Sequence, residues 1–252
     1  MNYIIYDLEF NQPRSSKSTS KEETKKCPFE IIQIGAIKLD ESFNLIGTFD
    51  KLIKPTIYTS IHPYIQELTN IDMNQLRKAD YFPKVYNDFL KFIDESSIFC
   101  VWGKVDLKEL FRNIRYHELN LPVNMKYIDV QNHTTKHLKF TKGFSVGLER
   151  AVDTFKIPLD KEFHNAFNDA YYTSKIFKII YNENITPETY DANRTARSNS
   201  SKQKVDINAL FMQFEKMYCR KMTRHEKKII KLAYMMGKTN QFTIDNAKKT
   251  HD

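Results

Sequence analysis

Two carboxylates stand two residues apart near the start of the chain, in Asp7-Leu8-Glu9. They follow Tyr3-Ile4-Ile5-Tyr6, which reads as a short strand, and side chains two apart on a strand point to the same face. Like charges held that close repel unless a cation lies between them. An all-oxygen pair suits a hard ion, Mg²⁺ or Mn²⁺. Taken alone, an Asp-x-Glu is common, and a solvated pair at a strand end explains it more simply. Asp106 follows the apolar run Ile98-Phe99-Cys100-Val101-Trp102 and Gly103, where an amphipathic helix begins. A first-turn acid favoured by the helix dipole accounts for it about as well as a metal site does. His164-Asn165-Ala166-Phe167-Asn168-Asp169 opens a later helix, and its His and Asp are individually ordinary.

Together these residues resemble a known family. Asp7-Leu8-Glu9-Phe10, Glu30-Ile31-Ile32-Gln33-Ile34-Gly35-Ala36, Trp102-Gly103-x-x-Asp106 and His164-Asn165-Ala166-x-x-Asp169-Ala170 occur in the order of the DEDDh 3′–5′ exonucleases. That superfamily includes RNase T, oligoribonuclease and the proofreading exonucleases. The likeness is closer to the Eri-type exoribonucleases and the bacterial KapD-like proteins, and it covers about residues 1–182. Asn165 stands where the tyrosine variant of the site has Tyr. The polar segment 11–27 is longer than the family usually shows at this point, which bears on access to the site.

The resemblance implies an RNase H-like fold and a two-metal mechanism. Asp7, Glu9 and Asp169 would hold one Mg²⁺ or Mn²⁺, Asp7 would share a second, and Asp106 would help through water. Two ions about 4 Å apart activate water and stabilise the leaving 3′ oxygen. His164 would be the general base, since an imidazole ordinarily titrates near pH ~6.5. The expected reaction releases nucleoside 5′-monophosphates from the 3′ end of nucleic acid. RNA is the expected partner ahead of DNA on the family likeness alone. Phe10 and Trp102 are candidates to stack on terminal bases, although aromatics in this chain are more often core residues. Two other readings compete: a DNA-directed proofreading or repair exonuclease, and a non-catalytic regulatory protein using the fold for binding. The intact quintet argues against the second. An RNase H-like endonuclease would not require the His-x-Ala-x-x-Asp arrangement.

The elements that must position these groups are legible from periodicity. Strands are expected near 3–6, 30–39, 44–54, 98–102 and 127–130, the second and third forming a hairpin about Asp40-Glu41-Ser42. Residues 11–27 read as a mobile loop. Ile65 and Leu68 mark a short helix, and Val85, Phe89, Phe92 and Ile93 a longer one. Leu107, Leu110, Phe111 and Ile114 show one buried helical face, and helices are expected at about 145–155 and 165–182. The fold class is α/β, a mixed five-stranded sheet flanked by helices, over residues 1–190. Residues 191–204 read as a linker and 205–252 as a basic helical extension. In the extension, Ile207, Leu210, Phe211, Phe214 and Met217 share one face. Thr223-x-x-Glu226 forms a capping box, and Gly237 is a natural stop.

Composition sets the frame. The 252 residues are 41% apolar with 18 Phe and 14 Tyr, enough for a sizeable core, whereas 6 Gly are too few for Gly-rich phosphate loops. Cys27, Cys100 and Cys219 are odd in number and far apart, against a disulfide framework; Cys100 suits a core position and the other two read as incidental thiols. The remaining six histidines read as surface or structural. The N-terminus lacks a signal-peptide pattern and no run reaches the roughly 18 apolar residues of a membrane span, so a soluble, cytoplasmic protein is expected. Residues 1–190 balance 25 basic against 25 acidic residues, so the formal charge of +8 resides in residues 191–252, with 14 and 6. A basic segment beside a neutral domain suits nucleic acid; a solvated Lys-rich surface is an equally good reading. Oligomeric state is not encoded in any visible feature.

Overall fold

The computed structural model describes residues 1–13, 21–94, 96–122, 124–140, 144–192 and 207–238. The chain divides into two compact units, Met1–Ala196 and Arg197–Asp252. Most of the segment read as a linker, from residue 193 on, lies outside the described residues.

The first unit is built on one mixed sheet. β1 (Tyr3–Asn11), β2 (Glu30–Leu39) and β3 (Leu45–Lys54) form an antiparallel meander, and β5 (Ile98–Val101) joins the other side of β1 in parallel. β6 (Lys126–Asp129) continues parallel to β5. Two-residue strands cap the edges, β4 (Asp80–Tyr81) beside β3 and β7 (Glu188–Thr189) beside β6, giving the order β4-β3-β2-β1-β5-β6-β7. The sheet therefore has seven strands rather than five. A two-residue strand carries too few alternations to leave a periodic signal.

Helices cover both faces. On one, Ile4, Tyr6 and Leu8 of β1 pack against α4 (Phe82–Phe92) and α5 (Val105–Tyr116). On the other, Tyr3 and Ile5 pack against α7 (Leu148–Thr154) and α8 (Ala166–Ile180). Two short helices, α2 (Pro63–Thr69) and α3 (Met73–Lys78), follow β3, and α6 (Val130–His137) follows β6. His62 caps α2, its Nδ1 accepting from the Tyr64 N–H at 3.2 Å. The helix α6 has no counterpart in the sequence expectations because Gln131-Asn132-His133-Thr134-Thr135 lacks an apolar stripe. Within the segment read as a loop, β1 runs on to Asn11 and Lys21–Lys26 forms a short helix, α1. Its Glu22 and Lys26 pair at 3.2 Å one turn apart, the spacing at which opposite charges support a helix. Residues 14–20 of that segment lie outside the described residues. Cys27, read as incidental, is fully buried with Ile57 and Tyr58.

The second unit is described through α9 (Ile207–Met217) and α10 (Arg224–Lys238). The expected capping box forms: the Glu226 N–H donates to Thr223 Oγ1 at 3.2 Å and the Thr223 N–H to Glu226 Oε2 at 2.8 Å. Among the described residues, no helix is long and apolar enough to cross a membrane.

Candidate active site

The alternation of β1 places the acidic pair. Tyr3 and Ile5 face the α8 side, so Asp7 and Glu9 continue that series, and the row changes from apolar to acidic toward the end of the strand. Asp7 is opposite Gly35, and Glu9 opposite Gln33. Immediately after Glu9 the β1–β2 register shifts. Such a bulge bends a strand and re-aims the side chains that follow it.

The third carboxylate comes from α8, which lies unusually close to the sheet. A Cβ at Gly35 would stand 2.1 Å from the Phe167 nitrogen and 2.2 Å from the Ala166 carbonyl carbon. Only glycine permits this approach. Gln33 fixes the helix start, its Oε1 accepting from the Ala166 N–H at 3.1 Å while its Nε2 donates to Asp50 Oδ1 at 2.8 Å. Asn165 caps the helix, its Oδ1 accepting from the Phe167 and Asn168 N–H groups. One turn in, Asp169 therefore lies over the β1 pair, and oxygens of Asp7, Glu9 and Asp169 come within 4.8 Å of one another.

Asp106 reaches the cluster from the other layer. Because β5 is parallel to β1, with Ile5 level with Cys100, the chain leaving β5 emerges beside Asp7, at the carboxyl ends of parallel strands where α/β sheets bind ligands. Gly103, at φ +86°, makes the turn into α5. A Cβ there would also meet Gln131 Oε1 at 2.8 Å. Asp106 is 8% exposed and within hydrogen-bonding reach of Asp7. It is thus no solvated capping acid, and it stands beside the Asp7, Glu9 and Asp169 trio rather than within it.

His164 completes the quintet. It is exposed, in the left-handed region at φ +62°, where histidine is several-fold enriched over most residues. Its backbone N–H donates to Asp169 Oδ2 at 3.3 Å, so the loop carrying the imidazole is tied to the carboxylate it neighbours.

Four carboxyls this close leave an electrostatic signature. Burial, then repulsion from Asp106, Asp169 and Glu9, raises Asp7 well above the usual carboxylate range. Burial, then Asp169 and Asp106, pushes Glu9 up to about 8. Asp106 also rises to about 8, through burial and then Asp169. Burial carries Asp169 up to about 7 against the opposing His164 N–H. Such a cluster is costly without a cation. Asp169 Oδ1 is buried with no hydrogen-bond partner, and all donors in the trio are carboxylate oxygens. Both features fit a hard divalent ion.

Phe10 and Trp102 lie close by in sequence but are both partly buried. Phe10 packs on the α4–α5 side of the core and meets Phe29 edge-on, with centroids 6.2 Å apart. Trp102 packs against the opposite core, with its indole N–H buried and unpartnered. Phe29, 39% exposed, adds an aromatic that the sequence reading passed over. Gln33 and Gly35 belonged to a recognised motif, but their roles under α8 are visible only once β2 and α8 are in contact.

An exonuclease family model, RNase_T, matches residues 4–177. The probable 3′–5′ exonuclease KapD of Bacillus subtilis (strain 168) is 22% identical over 187 residues, covering 70% of this chain and 83% of KapD. Among solved structures, the nuclease domain of 3′hExo bound to rAMP, a DEDDh family member, aligns with a TM-score of 0.62 at 18% identity. That match covers 75% of this chain and 96% of the other. E. coli Exonuclease I in complex with a dA16 oligonucleotide aligns at 0.53 with 18% identity, over 71% of this chain and 41% of its own. The mixed sheet and its flanking helices share the RNase H-like fold with these structures.

Proposed function

The chain belongs to the RNase_T exonuclease family, the DEDDh 3′–5′ exonucleases, and on that premise we propose that it shortens single-stranded RNA from the 3′ end, releasing nucleoside 5′-monophosphates. The observation that carries this reading is the convergence of Asp7, Glu9 and Asp169 within 4.8 Å, with Asp106 against Asp7 and His164 tied to Asp169.

In this reading Asp7, Glu9 and Asp169 would hold one divalent ion, Mg²⁺ or Mn²⁺, Asp7 would share a second, and Asp106 would help through water. When bound, the metal supplies charge stabilisation for in-line displacement at phosphorus and lowers the pKa of water. The protein contributes the geometry. Asp7 and Glu9 are fixed by the β1–β2 ladder, and Asp169 by an N-terminus of α8 clamped through Gln33 and Gly35. His164 accepts a proton from the attacking water; it is exposed, on a backbone pinned to Asp169, and free to reach solvent at the edge of the cluster. Phe10, with Phe29 beside it, and Trp102 would guide terminal bases by stacking. The three free thiols suit a reducing, cytoplasmic setting.

RNA is favoured by the Eri-type likeness of the motifs and by the ribonucleotide in the 3′hExo structure. The dA16 bound to Exonuclease I supports a DNA-directed second reading. A 5′-labelled single-stranded RNA and its DNA counterpart, incubated with Mg²⁺ or Mn²⁺, test both. The expected result is an RNA ladder shortening from the 3′ end, absent with EDTA and in Asp7→Asn. A ladder on DNA alone reverses the substrate assignment, and cleavage of a substrate with a blocked 3′ end overturns the exonuclease reading.

A further inference from the structure

The two units carry very different charge. Met1–Ala196 holds 26 basic and 26 acidic residues, whereas α9, α10 and the turn between them, residues 207–238, hold 8 basic and 2 acidic residues. Both acids are used inside the hairpin. Glu215 pairs with Lys221 at 3.1 Å and Lys227 at 3.0 Å, and accepts from the Met222 N–H. Glu226 pairs with Arg220 at 2.5 Å and caps α10. Lys216, Arg224, Lys228 and Lys231 are exposed and have no acidic partner among the described residues. On α10, positions 224, 228 and 231 fall on one face. In the turn after α9, Tyr218 is 65% exposed and parallel to Phe214, with ring centroids 6.5 Å apart.

We propose that this hairpin is an anchor for single-stranded nucleic acid, the basic stripe following phosphates and Tyr218 offering a stacking surface. The inference rests on the exonuclease reading for its substrate. The polyanion that the neutral catalytic unit must hold finds its complementary charge on the tethered second unit. Exposed cations and an exposed aromatic carried on one small unit are the combination that binds single strands with little regard to sequence. Covalent linkage raises the effective concentration of a long substrate at the catalytic unit without any new contact there.

The experiment uses the full chain with Lys216→Gln, Arg224→Gln, Lys228→Gln and Lys231→Gln combined, and a milder Lys228→Ala/Lys231→Ala chain whose helix content is followed by circular dichroism. Binding of a fluorescein-labelled RNA of about 30 nucleotides is read by anisotropy in EDTA across a salt series, so no turnover is needed. The quadruple variant is expected to bind about 10-fold or more weakly at low salt. Its slope of log affinity against log salt should fall by about 2.8, at roughly 0.7 per phosphate contact on a single strand. The double variant should show half that change in slope, and hydrolysis of a dinucleotide in Mg²⁺ should be unchanged in both. Unaltered RNA affinity and slope overturn the anchor. So does loss, in the variants, of binding to phosphatidylserine vesicles or of self-association while RNA binding stays constant. A chain that binds RNA but hydrolyses no dinucleotide counts against the catalytic reading and leaves the anchor supported.

Discussion

Carboxylates do opposite work in the two units. In the catalytic unit, Asp7, Glu9, Asp106 and Asp169 are crowded together without a cationic side chain among the causes acting on them, and all four titrate above their ordinary values. In the hairpin, Glu215 and Glu226 sit in shells of Lys, Arg and backbone N–H groups. Hydrogen bonds from Lys227 and Arg220, first among several, lower each to about 2. The first set destabilises the fold unless a cation arrives; the second fastens a turn. The same residue type is thus held toward its neutral form where carboxyls crowd one another and toward its charged form where cations surround it. Perturbation toward the neutral form marks the site.

The sharpest break in that comparison is Asp7→Asn. Its exonuclease rate should fall on the order of 10³-fold, matching the several kcal/mol that a metal ion contributes to the transition state. The thermal midpoint of the metal-free protein should hold or rise, because one repelling charge is gone. A midpoint falling with the rate would show that Asp7 is structural. Next, His164→Ala should lower the rate about 10²-fold or more while leaving Mg²⁺ affinity, read by isothermal titration calorimetry, unchanged. Gly35→Ala tests the helix placement: its Cβ must displace the start of α8, and a misplacement of about 1 Å costs on the order of 10²-fold in rate. Unlike His164→Ala, it should also raise the Mg²⁺ concentration needed for half-maximal activity, and full activity at ordinary Mg²⁺ would remove the close approach from the account.

The pH behaviour sharpens the comparison with a smaller effect. For the metal-free chain, Asp169 near 7 and Glu9 and Asp106 near 8 all exceed their unfolded values. The folded state therefore holds more protons, and stability falls as pH rises through that window. Melting at pH 5 and pH 8.5 in EDTA should show a decrease of several degrees, largely reversed by Mg²⁺ at the higher pH. An increase would contradict the buried cluster. Glu215 and Glu226 have the reverse sign, contributing stability above their ordinary range and losing it as pH drops toward about 2. Smallest of all, Glu226→Ala should reduce helix content by circular dichroism and leave dinucleotide hydrolysis untouched.

Much of the site is legible before folding because it obeys local periods. Asp7 and Glu9 share a face by the two-residue repeat of a strand, and Asp169 lies within the first turn of a helix that Asn165 caps. The five longer strands and the α4, α5 and α8 stripes are equally local. What escapes is short or non-periodic: the two-residue β4 and β7, the helix α6 with its polar face, and α1 inside a Ser/Lys-rich stretch. Cys27 looks incidental in sequence because its burial comes from Ile57 and Tyr58, some thirty residues away. Phe10 and Trp102 show the converse: they lie near Glu9 and Asp106 in sequence, yet each is partly buried against a core.

The sequence by itself determined the chemistry available here: oxygen donors in a fixed order, an imidazole next to the last of them, and an excess of positive charge confined to the end of the chain. Only the tertiary structure decided that these groups meet. Gly35 and Gln33 on β2 admit α8 to the sheet, parallel pairing of β5 with β1 delivers Asp106 to Asp7, and Asp169 Oδ1 is left buried and unpartnered. Residue order constrains neighbours a turn or a pleat apart. Distances between strands and the helices over them are set by which side chains are absent at the crossing, and no local period records that.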